Sequence, residues 1–343
     1  MSGFYDKYGA LTTHNAFMHR PQKRGLTTPF QLASADVFTK QVAGLTRRLK
    51  AIKCQSVVVG ISGGLDSTLA LLVCVGAFEK LSIPLKNLHA ITMPGFGTSR
   101  RTYDNAALLC KGLGVKLEEI SIVKSVTQHL KDIGHNGKKT DVTYENAQAR
   151  MRTMILMDKA NMYNALVIGT GDMSEIALGW CTYNGDHMSM FAVNNGVPKT
   201  VVTRVCSWYA SRPGLNRNVV KAIKDIVATP VSPELIKGQV TEDKLGPYEL
   251  HDFFLWNFIV NGMGPEELLK AAMRRTDMFP EGKYTEAFVK KTIDIFMTRL
   301  VTQAFKRNCQ PDGIKIFPFE FSPRDWWIPS DLDLRDVMSH FEK

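Results

Sequence analysis

The chain has 343 residues, enough for one large domain or two modest ones at roughly 100 to 200 residues each. Hydrophobic residues make up 44% and charged residues 22%, a balance that buries a core and excludes whole-chain disorder, collagen-like repeats and low complexity. A net charge of +10 suits anionic small-molecule substrates.

Residues 1 to 33 carry no sustained period and contain the breakers Pro21, Gly25 and Pro29, so they read as an irregular N-terminal arm. The first 53 residues hold nine basic and two acidic side chains. No interleaving of aromatic with basic residues accompanies that charge, which therefore reads as solvation rather than nucleic-acid recognition. From Ser34 to Ile52, Val37, Val42, Leu45 and Leu49 fall at near-helical spacing. Ser56 to Ser62 is a short β-branched run ending among glycines, and Leu65 to Phe78 follows as a helix; the pair predicts a buried parallel strand, a tight loop and a helix. The alternation continues with a strand over Leu88 to Pro94, a helix over Tyr103 to Leu113 and a strand over Lys116 to Val123. A long helix over Val142 to Tyr163 and a strand over Ala165 to Gly169 complete it. Such alternation predicts an α/β fold, a doubly wound parallel sheet with helices on both faces. Beyond Pro230 helices and turns take over, a helical C-terminal portion that covers the sheet. One folded unit is expected over 34–331, with the arm before it and a tail over 332–343.

The longest apolar run, Leu69 to Phe78, reads as a buried helix and falls far short of the roughly 20 residues that span a membrane. Six cysteines without a C-x-x-C pair, and no apolar leader at the N-terminus, point to a reduced, cytoplasmic protein with free thiols and no zinc.

The strongest local signal is Gly60-Ile61-Ser62-Gly63-Gly64-Leu65-Asp66-Ser67-Thr68, directly after the first strand. Adjacent glycines let the backbone turn sharply and present N–H groups outward, and the helix that follows adds its positive end, so the loop is an anion cradle. Asp66 suits Mg²⁺ held against a polyphosphate, and Ser62, Ser67 and Thr68 add hydroxyl donors. No lysine ends the loop, so it is not the G-x-x-x-x-G-K-[ST] P-loop. Gly60-x-Ser62-x-Gly64 also fits the G-x-S-x-G nucleophile elbow of serine hydrolases, and histidines lie downstream, but the glycine-rich oxyanion loop which that chemistry needs upstream is missing. A plain connecting turn is the third reading of this motif on its own.

Ser62-Gly63-Gly64-Leu65-Asp66-Ser67 resembles the SGGxDS pyrophosphate loop of the N-type ATP pyrophosphatases, which split ATP between the α and β phosphates and adenylate an acceptor. A second block, Tyr144 to Arg152, places Asn146 and Arg150 four apart on one helix face. Together with Gly169-Thr170-Gly171-Asp172, Glu175, Gly179 to His187 and Pro198-Lys199-Thr200, it resembles the synthetase domain of NAD synthetases. Thr92 to Thr98 and Leu245 to Tyr248 resemble the glutamine-dependent branch in particular, and the likeness runs from about Pro29 to Asp331.

The resemblance implies an adenine nucleotide α-hydrolase-like fold and a ligase that amidates deamido-NAD to NAD with ATP and ammonia through an adenylated intermediate. It implies ATP contacts from Gly60, Ser62, Gly63, Gly64, Asp66, Ser67, Thr170, Lys199 and Ser232, and Mg²⁺ held by Asp66 and Glu175. Asn146, Arg150, Glu242 and Lys306 would face the dinucleotide, Asp186 would position ammonia, and Asp66, Asp186 and Lys199 would carry the chemistry. A homodimer is the implied assembly. Plainer roles stand beside these: Glu175 as half of a capping box with Asp172, Arg150 as a solvated helix charge, Lys199 lying free behind Pro198, and Asp186 as turn chemistry. Met151, Met154 and Met157 read as core filling.

Two departures from the ammonia-dependent branch, Thr92 in place of an arginine and His187-Met188 in place of two glycines, agree with the glutamine-dependent one. The nitrilase-like amidase domain of that branch has no counterpart ahead of Pro29, so the chain is expected to use free ammonia or ammonia from a separate glutaminase. Transfer to another acceptor such as tRNA is the alternative, favoured by the basic arm and opposed by the lack of a clear catalytic cysteine pair. A non-catalytic nucleotide-binding remnant is opposed by the retention of Asp66, Glu175 and Lys199 together.

Overall fold

Every strand of the sheet runs parallel. β1 (Val57–Gly60), β2 (Leu88–Thr92), β3 (Leu117–Glu119), β4 (Leu166–Gly169) and β5 (Phe191–Ala192) are ordered β3-β2-β1-β4-β5. The computed structural model describes residues 30–230, 235, 241–321 and 334–341. The two-residue strand period sorts the side chains: Val57, Val59, Leu88, Ala90, Leu166 and Ile168 enter one core, while Val58, Ile91 and Val167 enter a second on the opposite face.

Helices fill the intervals. α1 (Ser34–Ala51) precedes β1, α2 (Leu65–Leu81) and α3 (Arg100–Leu113) follow β1 and β2, and α4 (Val123–Asp132) and α5 (Val142–Tyr163) lead from β3 to β4. α6 (Met173–Leu178) lies between β4 and β5. After β5 come α7 (Lys199–Ala210), α8 (Arg217–Val227), α9 (Thr241–Leu245), α10 (Tyr248–Ile259), α11 (Pro265–Arg274), α12 (Glu286–Thr302), α13 (Ala304–Arg307) and α14 (Leu334–Phe341). α1, α2, α3, α7 and α8 feed the first core, which the C-terminal helices extend; α4 and α5 close the second. Helices on both faces make the sheet doubly wound, as the alternation predicts. α2 is buried almost all round, which matches its apolar Leu65-to-Phe78 run.

One expected strand is shorter than its sequence suggests. Lys116 to Val123 is predicted as a strand, yet β3 ends at Glu119 and Val123 opens α4. Ile122, Val126 and Leu130, each four apart, form the buried stripe of that helix and enter the second core. All six cysteines are free, and among the described residues no helix is long and apolar enough to cross a membrane.

Strand order sets the position of the site. From β1 the chain moves through β2 to β3 at one edge, then returns to β4 on the other side of β1. At such a reversal the loops leaving the carboxyl ends of the two strands diverge and leave a crevice.

Candidate active site

The loop Ile61–Gly64 leaves β1 at that crevice. Gly63 has φ +87°, and a Cβ there would lie 2.0 Å from the Thr102 carbonyl oxygen of α3, so both conformation and space require glycine. The Ser62 N–H donates to Ser67 Oγ at 3.3 Å, the Gly64 N–H to Ser62 Oγ at 3.1 Å, and the Ser67 hydroxyl to the Gly64 carbonyl at 3.1 Å. The two serines thus brace the loop expected to cradle an anion, and hold two of its amides themselves. Thr68, expected as a further donor, is fully buried beneath it.

The crevice opens into a cavity of about 620 Å³. On the β2 side its walls mix the apolar Met93, Phe96, Leu156 and Leu235 with Thr98, Ser99 and Arg152; on the β4 side they carry Asp66, Glu175, Lys199, Asp186 and Trp180. Gly60 and Thr170 line it as well. Asn194, fully buried, ties the two strand ends together: its Nδ2 donates to the carbonyls of Asp66 and Thr170, each at 2.9 Å.

The charged wall centres on Lys199, the first residue of α7, which is 2% exposed. Its Nζ lies 2.6 Å from Asp66 Oδ2, 2.6 Å from Asp172 Oδ2 and 2.8 Å from Glu175 Oε1. Asp66 comes from the first turn of α2. Asp172 is the N-cap of α6, its Oδ1 accepting from the Ser174 and Glu175 N–H groups at 2.7 and 3.0 Å. Burial pulls the Lys199 ammonium down, yet the three carboxylates, Asp172 foremost, hold it well above the usual lysine range. Burial pushes Asp66 up to about 7 against the pull of Lys199, and pushes Glu175 well above the carboxylate range for the same reasons.

Three carboxylates share one ammonium, and a donor oxygen of each lies within 4.8 Å of the others. Asp66 Oδ1 is buried and accepts no hydrogen bond. Hard oxygen donors crowded around one ammonium, with an unused buried acceptor among them, fit a divalent cation such as Mg²⁺.

The remaining candidates lie around this wall. Asp186 lines the cleft and accepts the Thr182 N–H at 2.7 Å, so it serves the turn and faces the cavity. Asn146 and Arg150 do not line the cavity but hold the same turn from α5: the Thr182 hydroxyl donates to Asn146 Oδ1 at 2.8 Å, and Arg150 Nε donates to the Tyr183 carbonyl at 3.2 Å. Lys306 Nζ donates to the carbonyls of Gly179 and Cys181 at 2.8 and 2.7 Å. It acts beside Arg299, which donates to the Leu178 carbonyl at 2.8 Å, and Arg307, which donates to that of Ala177 at 2.9 Å. Three cations thus clamp the carbonyl end of α6, where orphan acceptors and the helix dipole favour positive charge. Glu242 accepts the Tyr248 N–H at 2.9 Å and starts α10. Ser232 lies outside the described residues.

Sequence reading sees Asp172 only as a cap, although its second oxygen reaches Lys199. Glu175 turns its carboxylate to that same ammonium. Arg152 is a further cleft residue with no assigned role in the sequence; its Nε donates to the Met93 carbonyl at 3.1 Å. Its place in a block between Asn146 and the Met-rich turn of α5 was the available signal.

Comparison with known proteins follows the same outline. The NAD synthase family model matches residues 37–285. The glutamine-dependent NAD(+) synthetase of Mycobacterium leprae is 38% identical over 334 residues, covering 90% of this chain and 49% of that protein. The chain therefore spans about half the length of the curated relatives it matches. Among solved structures, a glutamine-dependent NAD(+) synthetase from Cytophaga hutchinsonii superposes with a TM-score of 0.73 at 18% identity, covering 90% of this chain and 56% of that one. The NH3-dependent NAD synthetase from Campylobacter jejuni superposes with a TM-score of 0.55 at 21% identity, covering 80% of this chain and 96% of that one. These two likenesses show the shared fold, the adenine nucleotide α-hydrolase type that the sequence blocks imply. With the family model matched across the whole sheet and most of its helices, the chain belongs to the NAD synthase family.

Proposed function

We propose that the chain amidates deamido-NAD to NAD with ATP and ammonia through an adenylated intermediate, releasing AMP and pyrophosphate. The observation that carries this reading is a single cavity joining an amide cradle, Ser62 to Ser67, to a buried lysine among three carboxylates, with Asp186 on the same wall.

Phosphates entering the cradle meet the positive end of α2. Lys199 adds a fixed charge beside it, held ready before substrate arrives. The nicotinate carboxylate attacks the ATP α-phosphorus in line, the bond to the β-phosphate oxygen breaks, and pyrophosphate leaves into the cradle. Asp66, Glu175 and Asp172 would hold Mg²⁺, which when bound neutralises polyphosphate charge. Asp186 takes a proton from ammonium; the ammonia attacks the acyl carbon, the bond from that carbon to the AMP phosphate oxygen breaks, and the new amide gives its extra proton to solvent as AMP leaves. On the β2 side Met93, Phe96 and Leu156 offer the adenine ring an apolar surface. No side-chain nucleophile is required. Ammonia from a separate glutaminase would feed the same step.

The test is to incubate the purified chain with ATP, Mg²⁺ and deamido-NAD, with ammonium or with glutamine, and to quantify NAD, AMP and pyrophosphate. NAD and AMP rising together with ammonium is the expected result. AMP without NAD would move the reading to another acceptor, and intact ATP would overturn it.

A further inference from the structure

Lys199 opens α7 behind Pro198, and a proline N-cap supplies no side-chain acceptor for the first N–H groups of the helix. Those groups are caught by two other helices. The Lys199 N–H donates to Ser174 Oγ of α6 at 2.8 Å, and the Thr200 N–H donates to Asp252 Oδ2 of α10 at 2.9 Å. The Thr200 hydroxyl gives the same Oδ2 a second bond at 2.6 Å, and the Ser174 hydroxyl donates to Asp252 Oδ1. Asp252 is 2% exposed and does not line the cleft. An anion on one helix thus caps another, where the helix dipole rewards negative charge. Through Ser174 it also touches the start of α6, which carries Asp172 and Glu175. Any rotation of the first turn of α7 would carry Lys199 Nζ away from distances of 2.6, 2.6 and 2.8 Å to its three carboxylates.

We propose that Asp252 is a positioning residue that caps α7 from α10 and so fixes where Lys199 presents its ammonium to the phosphates. The inference rests on the reading of Lys199 as the cation of the ATP site. Asp252 serves as an acceptor for three donors on two oxygens. An asparagine keeps the shape but offers one acceptor oxygen, so at least one donor is left without a good partner.

A double-mutant cycle on the full chain tests it, with ATP affinity by calorimetry and kcat and KM by NAD formation. Asp252→Asn should lower kcat at least tenfold and weaken ATP binding, leave KM for deamido-NAD within twofold, and melt as a folded protein. In a Lys199→Gln background the same Asp252→Asn change should alter ATP affinity and kcat by no more than twofold, because its route of action is gone. Equal effects in both backgrounds would overturn the proposal and leave Asp252 a structural residue. Should Asp252→Asn fail to fold, Ser174→Ala, which removes two bonds of the same network, that from the Lys199 N–H and that to Asp252 Oδ1, takes its place in the cycle with the same two outcomes. If the wild-type chain forms no NAD, the functional reading falls alone, and the calorimetric cycle still decides the role of Asp252.

Discussion

Asp66 meets three demands at one atom group: it starts α2, it pairs with Lys199, and it leaves Oδ1 buried without a donor. Asp66→Asn keeps the shape and removes a charge from an over-acidic cluster, so the protein should stay folded while adenylation falls by at least about 100-fold. Undiminished pyrophosphate release by the folded variant would refute the metal assignment. His251 tests burial rather than chemistry. Burial holds its pKa down at about 4, against 6.5 ordinarily, while its Nε2 bonds the Leu245 carbonyl at 2.8 Å. The unfolded chain takes up a proton as pH falls below 6.5 and the folded one does not until about 4, so stability is present above that window and lost through it. At about 1.4 kcal/mol per pH unit the loss reaches at most about 3 kcal/mol. Asp252, pushed up to about 6 by burial, works in the opposite sense, its contribution falling as pH rises to that value. The informative quantity is thus the difference between wild type and His251→Gln in denaturant titrations at pH 7 and pH 4.5; parallel curves would show that His251 does not carry the effect.

Among the elements, the phosphate loop and α3 form one contact unit. Gly63→Ala would force a positive φ on a residue with a side chain and drive its Cβ into the Thr102 carbonyl. The expected cost is upwards of about 2 kcal/mol, with loss of ATP binding measurable by calorimetry even where the fold survives; unchanged affinity would mean the loop adapts. This loop was readable in the sequence because its chemistry is contiguous: strand, glycines, carboxylate, helix. α7 was not. Its buried residues, Val201, Val202, Val205, Cys206 and Tyr209, follow a helical stripe, but the stripe begins with a lysine and is rich in β-branched and aromatic side chains. β5, two residues long, has no periodicity to detect. The roles of Asp172 and Asp252 depend on partners brought from distant positions, such as the 78 residues between Ser174 and Asp252, and no local pattern marks such a bond.

At the scale of the whole molecule, sequence blocks foresee the sheet, the glycine-rich loop and the family, while the assembly is a proposal. Of the three methionines expected as core filling, Met151 and Met157 pack against the second core, whereas Met154 is 52% exposed because it falls on the outer face of α5, as does Met162 at 72%. Two singly exposed methionines do not mark an interface; the homodimer is the assembly the family resemblance implies, and we propose it on that ground. Sedimentation velocity on the full chain should give a dimer; a chain that sediments as a monomer at every concentration would rule the assembly out.

The clamp on α6 bears on how this protein can be dissected. The family match ends at residue 285, whereas Arg299, Lys306 and Arg307 all lie beyond it and together hold the carbonyls of Ala177, Leu178, Gly179 and Cys181. A fragment trimmed to the matched segment would keep Asp66, Asp172, Glu175 and Lys199 but strip the cations from the far end of the short helix that carries two of them. A fragment ending at residue 285 is therefore expected to lose the support of α6 that one ending after Arg307 keeps.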